Sequence, residues 1–255
     1  MVKIFLNGCC GRMGRAIAAL CHHDAEYQIV AGGDIVSNSD LYFPVYTSLN
    51  ECTEDFDVII DFSNASAVPT ILEFALSRKK PFICCTTALS DDTVNSILAA
   101  SEQIAVFKSA NMSLGINMMV ELCKQATRIL YPEFDIEIVE AHHNRKLDAP
   151  SGTAMMIASA IDQEIPDNVE YVYDRHSVNK ARSKNEIGIS SIRGGNIVGE
   201  HSAMFISDEE ILTISHSAQT RDVFAKGALT AAKFMAGKEK GYFTMSDVIA
   251  QYIGE

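Results

Sequence analysis

Up to about residue 108, short apolar runs alternate with longer amphipathic stretches. The pattern predicts strands at 2–6, 28–31, 57–61, 81–85 and 104–107, and helices at 13–21, 67–79 and 91–100, the last with Ser90 as its N-cap. Strands alternating with helices require a parallel sheet wound on both faces. A longer helical pattern at 113–130, apolar at Ile116, Met119, Val120, Cys123 and Leu130, leads away from this first region. Beyond Pro132 the grain changes to a strand at 135–140, a helix at 151–162 and β-rich runs at 187–193, 201–206 and 211–216. Gly194-Gly195 and an acidic turn at 207–210 separate those runs, so a mixed or antiparallel sheet carrying a helix is expected. The segment 166–184 is polar and weakly patterned, which predicts a flexible surface loop. From Arg221 the helical period returns, with Phe224, Leu229, Ala232 and Met235 on one face and a stop at Gly237, followed by a short helix at 246–253. The expected fold class is α/β: a Rossmann-like doubly wound sheet with a second α+β domain.

Composition narrows the partners. The 255 residues, 47% hydrophobic and 21% charged, suffice for one large or two modest domains. A net charge of -12 with no dense basic run argues against nucleic acid and anionic membranes. No uncharged apolar stretch approaches the roughly 20 residues that span a bilayer, and the first strand begins at Val2, so no signal peptide is expected. The seven Cys, with adjacent pairs Cys9-Cys10 and Cys84-Cys85, lack C-x-x-C spacing. Reduced thiols in the cytoplasm are expected.

The sequence Gly8-Cys9-Cys10-Gly11-Arg12-Met13-Gly14 follows the first strand and opens a helix. Glycines there permit a sharp turn and let backbone N–H groups meet a pyrophosphate at the positive end of the helix. Asp34 closes the second strand where a carboxylate accepts hydrogen bonds from an adenosine ribose. No Lys or Arg lies between Val36 and Asn50, so a ribose 2′-phosphate meets a carboxylate and no nearby cation unless Arg12 or Arg15 reaches it. NADH is therefore expected in preference to NADPH, with NADPH as the alternative.

The densest polar cluster is Glu140-Ala-His-His-Asn-Arg-Lys-Leu-Asp-Ala-Pro-Ser-Gly-Thr-Ala154. Its Ser-Gly-Thr helix start suits a carboxylate, and its two His and one Lys suit proton transfer. Hydride delivery beside a proton donor reduces a C=C or C=N bond. A metal site and plain surface polarity remain alternatives for paired His. No third His or carboxylate sits at ligand spacing, so no metal is expected. A semialdehyde dehydrogenase would carry a catalytic Cys in the second domain, and none follows Cys123. A silent NAD sensor would lack the His-His-Lys set.

The segments GCCGRMGRAI, EAHHNRKLDAPSGTA, RGGNIVGEHSAMF and HSAQTRDVFAKGAL closely resemble the 4-hydroxy-tetrahydrodipicolinate (dihydrodipicolinate) reductase family of diaminopimelate and lysine biosynthesis. The resemblance spans nearly the whole chain. It implies a dinucleotide-binding domain from 1–111 and 222–255, a substrate and tetramerisation domain at 112–221, and a small dicarboxylate substrate reduced by a homotetramer. After loss of water, hydride reaches the ring and a proton is added. His142 matches the family's proton donor or acceptor and Lys146 its second donor, while His143, Gly152 and Thr153 match carboxylate contacts, with Ser151 nearby. Gly8 to Met13 match the phosphate loop, with Cys9, Cys10, Gly11 and Arg12 between them, and Asp34 matches the ribose acid. Cys85-Thr86-Thr87 matches a Gly-Thr-Thr turn, and Ser109-Ala110-Asn111-Met112 a loop near the nicotinamide, with Asn111 orienting the carboxamide. Departures are Cys85 for Gly, which crowds the backbone if a positive φ is required, Met112 for Phe, and the bulk of Cys9-Cys10. Arg193 and His201 are expected to be structural or interface groups.

Overall fold

The computed structural model describes residues 1–37, 40–176 and 179–253. It divides into two compact units, Met1–Ser113 with Asp222–Glu255, and Leu114–Arg221. Residues 254–255 of the expected first domain and 177–178 of the expected loop lie outside the described residues.

The first unit runs β1 (Val2–Asn7), α1 (Arg12–Cys21), β2 (Tyr27–Gly33), β3 (Val45–Tyr46), β4 (Val58–Asp61), α2 (Val68–Arg78), β5 (Phe82–Cys84), α3 (Asp91–Ala100) and β6 (Ala105–Lys108). With elements numbered along the chain, its returning segment is α6 (Asp222–Met235), β12 (Gly241–Phe243) and α7 (Met245–Ile253). The strands form one seven-stranded sheet in the order β12-β6-β5-β4-β1-β2-β3, with every pairing parallel. Ile4, Phe5, Leu6, Val58, Ile59 and Ile60 are all buried, because helices cover both faces and leave no polar side to alternate. Phe5 anchors one face between Phe56 and Phe74, with ring centroids 5.4 and 5.2 Å away. The returning α6 packs on α1 and β4. Gly227 permits its close approach, since a Cβ there would collide with the Met112 carbonyl.

The second unit contains α4 (Leu114–Leu130), β7 (Asp135–His142), α5 (Gly152–Asp162), β8 (Glu170–Val172), β9 (Glu186–Arg193), β10 (Gly199–Ile206) and β11 (Ile211–Ala218). Its sheet is mixed, in the order β11-β10-β7-β9-β8: β7 and β8 run parallel to β9, and β10 is antiparallel to β7 and β11. Met119, Val120 and Cys123 of α4 join Ile157, Ala158 and Ile161 of α5 in a core with Ile136, Ile138, Ile187, Ile189 and Phe205.

The expected loop at 166–184 is corrected in part: it contains β8 and is tied down by charge. Arg175 reaches Glu186 at 2.6 Å and Glu137 at 2.9 Å, and Arg182 also reaches Glu137 at 2.9 Å. Its polarity reflects ion pairing to β7 and β9, not solvation alone. Among the described residues no helix is long and apolar enough to cross a membrane.

Candidate active site

The glycine loop joins β1 to α1. Gly8 adopts φ +75, and a Cβ on it would lie 2.5 Å from the Phe62 carbonyl oxygen. A Cβ on Gly14 would fall 2.6 Å from the Cys9 Cα and would also strike the Gly8 carbonyl. These two glycines are therefore demanded by the protein's own backbone. Gly11 occupies the N-cap of α1 with no side-chain cap, so the first-turn N–H groups remain available to a phosphate. Arg12 is exposed and Met13 half-buried. Asp34 accepts from the Cys10 N–H at 2.9 Å and from the Ile35 N–H at 2.8 Å, which aims its carboxylate at the loop. A cavity of about 580 Å³ opens between them, lined by Gly8, Cys10, Gly11, Asp34, Leu49 and Ile71 among others. Among the described residues its lining contains no Lys or Arg. Arg15 instead donates its Nε–H to the Cys10 carbonyl at 3.0 Å. Burial, reinforced by Cys10, pushes the Cys9 thiol up to about 12. An uncapped helix start, a left-handed glycine, a ribose-type carboxylate and a cavity of this size together fit a dinucleotide.

The strand ends beside this loop are fastened by Asp61, a fully buried carboxylate that sequence reasoning missed. It accepts from Asn7 Nδ2 (2.7 Å), Ser63 Oγ (2.6 Å) and Thr86 Oγ1 (2.7 Å), joining the ends of β1, β4 and β5. Thr86 is thus buried and engaged while Thr87 is exposed. A lone acid closing the apolar run 58–60 was the available signal. Cys85 departs from the expected crowding: among the described residues the positive-φ positions outside glycine are Lys79 and Ala88, not Cys85, so the missing glycine costs no backbone strain. Burial, with Cys84 and Asp61 nearby, pushes its thiol well above the ordinary value. Ser109 donates to the Asn111 carbonyl (2.9 Å), and Asn111 Oδ1 accepts the Ser113 N–H (2.8 Å) at the entry to α4. Ala110 is exposed and Met112 buried, with the Met112 backbone carbonyl set against Gly227 of α6.

In the second unit, strand register assembles the polar cluster. Across β7, Glu140 lies opposite His201 of β10, and His142 lies opposite Arg193 of β9. Residues two apart on one strand share a face, so all four side chains converge. The fully buried Glu140 carboxylate accepts from His142 Nδ1 at 2.6 Å, from Arg193 through two nitrogens at 2.9 and 2.7 Å, and from the Ser151 N–H at 3.1 Å. Despite the cost of burial, its bonds to Arg193 and His142 hold the carboxyl well down, to about 2. An ionised acceptor makes His142 the Nδ1–H tautomer and leaves Nε2 to exchange protons. A Cβ on Gly199 would lie 3.1 Å from that Nε2, so the glycine keeps its surroundings open. His201 stands edge-on to His142 with centroids 5.2 Å apart, and burial together with the nearby His142 pushes it down to about 4.

The cluster sits at the start of α5. Ser151 is its N-cap: the hydroxyl accepts the Ala154 N–H at 3.1 Å and bonds His201 Nε2 at 3.0 Å. That hydroxyl is committed to the fold, so Ser151 shapes the turn. A Cβ on Gly152 would meet nothing within 4 Å, which leaves open space before the helix start, with the half-buried Thr153 next to it. Lys146 pairs with Asp148 at 2.8 Å on the intervening loop. His143 is half-buried, and desolvation followed by the charges of Arg145 and Arg221 lowers its pKa. Arg193 and His201, expected to be structural or interface groups, lie directly against the Glu140–His142 pair. Their pairing depends on strand register, which a sequence read along one strand does not display.

A doubly wound dinucleotide fold accompanied by a buried carboxylate–imidazole pair at a helix start defines a two-domain oxidoreductase of the Rossmann type. The profile described as "Dihydrodipicolinate reductase, N-terminus" matches residues 2–112, and "Dihydrodipicolinate reductase, C-terminus" matches 115–249. The 4-hydroxy-tetrahydrodipicolinate reductase of Caldanaerobacter subterraneus subsp. tengcongensis is 49% identical over 249 residues, covering 98% of each chain. That of Clostridium tetani is 45% identical over 245 residues, covering 96% of each. Among solved structures, dipicolinate-bound dihydrodipicolinate reductase from Paenisporosarcina sp. TG-14 shares the fold with a TM-score of 0.79 at 23% identity, covering 95% of this chain and 98% of that one. The chain belongs to the dihydrodipicolinate reductase family.

Proposed function

We propose that this chain reduces 4-hydroxy-tetrahydrodipicolinate to tetrahydrodipicolinate in diaminopimelate and lysine biosynthesis, using NADH in preference to NADPH. On this reading the first unit binds the dinucleotide and the second binds the substrate. The loop from Gly8 to Met13 cradles the pyrophosphate, Asp34 holds the adenosine ribose, and Thr86, Thr87 and the 109–112 loop, with Asn111, line the nicotinamide end. Preference for NADH is supported by the Asp34 carboxylate in a cavity whose described lining contains no Lys or Arg, with Arg12 as the neighbouring cation that NADPH would have to recruit. The nicotinamide supplies the hydride.

The observation that carries the reading is the 2.6 Å contact between His142 Nδ1 and the buried Glu140 carboxylate, beside the start of α5. Glu140 acts through His142 as a positioning residue, fixing its tautomer and steadying the imidazolium. His142 passes a proton at Nε2. Lys146, released from Asp148, supplies a second proton and a positive charge. His143 and the Ser151-Gly152-Thr153 turn receive a substrate carboxylate, for which the helix N-terminus provides favourable charge. A dicarboxylate is the expected class, and dipicolinate, bound by the TG-14 protein, has that chemistry.

Four copies assemble through the second unit, where exposed Ile192, Ile211 and Leu212 supply apolar surface. The enzyme works in the cytoplasm, which keeps its free cysteines reduced. The test generates the substrate in situ from pyruvate and aspartate semialdehyde with the upstream synthase and follows NADH absorbance. Oxidation that requires both the synthase and this chain supports the reading; no oxidation with either cofactor overturns it.

A further inference from the structure

We propose that Cys9, Cys10 and Asp34 form a binding site for a thiophilic divalent cation of the zinc or cadmium class, and that its occupation excludes the dinucleotide. The two sulfurs and a carboxylate oxygen lie within 4.8 Å of one another. A tetrahedral ion with metal–sulfur bonds near 2.3 Å separates its ligand atoms by roughly 3.5–3.8 Å, so about an ångström of side-chain closure completes the set. Two sulfurs and one oxygen form a borderline-soft donor set, with the fourth position left to water.

The surroundings supply the other requirements. Cys10 and Asp34 line the 580 Å³ cavity, which provides an entry path and room for the water ligand. The Cys10 N–H holds Asp34 Oδ2 at 2.9 Å, so the carboxylate is oriented before an ion arrives. Cys10 Sγ makes a long contact to the Val36 carbonyl, 3.7 Å, and a hydrogen bond with the Cys9 thiol, so the two sulfurs already face each other. Cys9 Sγ rests against Gly32, where a Cβ would lie 2.8 Å from the sulfur, so glycine alone leaves the thiol its place. Binding is ligand exchange without electron transfer. Two metal–sulfur bonds form, and the two thiol protons leave to solvent.

Exclusion of the cofactor rests on the functional reading above: an Asp34 oxygen bound to a cation is lost to the ribose, and the ion occupies the ribose position. The experiment titrates the reduced, metal-free full chain with Cd²⁺, reading the ultraviolet thiolate-to-cadmium charge-transfer band, and then measures NADH binding by calorimetry with and without saturating Cd²⁺. The proposal expects one equivalent of cadmium whose band is lost in Cys10→Ser and in the Cys9→Ser/Cys10→Ser double variant. It expects apparent NADH affinity to fall at least ~10-fold by mass action when cadmium is present. In Cys10→Ser, checked for folding by its melting temperature and whatever its own NADH affinity, cadmium shifts that affinity less than ~2-fold. A band that survives in the double variant, or no band in the parent chain, overturns the site. A band requiring both cysteines with unchanged NADH affinity overturns the exclusion. The dinucleotide reading itself fails only if the metal-free parent does not bind NADH, so the two failures are distinguishable.

Discussion

The two polar regions of this molecule are made in opposite ways. The glycine loop is a backbone construction: Gly8 and Gly14 are there because no Cβ fits, and the positive charge it offers comes from an uncapped helix start. The cluster on β7 is a side-chain construction, in which Arg193, Glu140 and His142 form a chain of charge-assisted bonds across two neighbouring strands, β9 and β7. The first is broken by adding bulk and the second by removing charge. Under the proposed function binding belongs to the first and proton transfer to the second, and the difference in construction makes the two separable by mutation.

The largest expected effect is on chemistry. His142→Gln lowers kcat by ~10²–10⁴ in steady-state assays, the range for losing a proton-transfer group. Glu140→Gln follows, at about 10- to 100-fold, since it removes the charge that steadies the imidazolium and leaves Arg193 unpaired. Gly14→Ala overpacks the loop by about 1–3 kcal/mol. It is expected to raise the NADH dissociation constant at least ~10-fold by calorimetry while single-turnover chemistry at saturation changes little. Exchanging NADH for NADPH lowers kcat/KM by roughly 10-fold, in line with one unfavourable charge contact, and an NADPH advantage breaks the assignment of Asp34.

Acid stability sharpens the second half of the comparison. Glu140, held at about 2, binds its proton later in the folded than in the unfolded chain, so its contribution is complete above the ordinary 4.5 and is lost as pH falls toward 2. Glu186, also held at about 2 by Arg175, acts in the same direction. His201, pushed down to about 4, remains neutral in the fold while the unfolded chain protonates near 6.5, so stability begins to fall below pH 6.5. Melting temperature should therefore decline in two stretches, and Glu140→Gln should flatten the lower one.

Sequence and structure agree best where periodicity is long. Ser90 caps α3 and accepts the Thr93 N–H, and every long helix was legible from its apolar spacing. The strands β3, β8 and β12 were not legible, because two or three residues carry no period and their pairing comes from distant neighbours. The loop around Gly8 and Asp34 was readable because its glycine spacing directly after β1 is a compact motif, even though the contacts that demand Gly8 and hold Asp34 come from Phe62 and Cys10. Glu140 was visible in the motif, but its bonds to Arg193 and its place opposite His201 arise from strand order, and Asp61 joins three strand ends separated by whole helices. Cys85 shows the reverse error: a feared clash disappears once its φ is known.

The division of labour is tested most directly by measuring two quantities, the NADH dissociation constant and the single-turnover rate at saturating cofactor and substrate, in both Gly14→Ala and His142→Gln. The account predicts that Gly14→Ala loses affinity and keeps its rate, while His142→Gln keeps its affinity and loses rate by ~10²–10⁴. A His142→Gln enzyme that turns over at the parent rate, or that loses NADH binding as Gly14→Ala does, contradicts it.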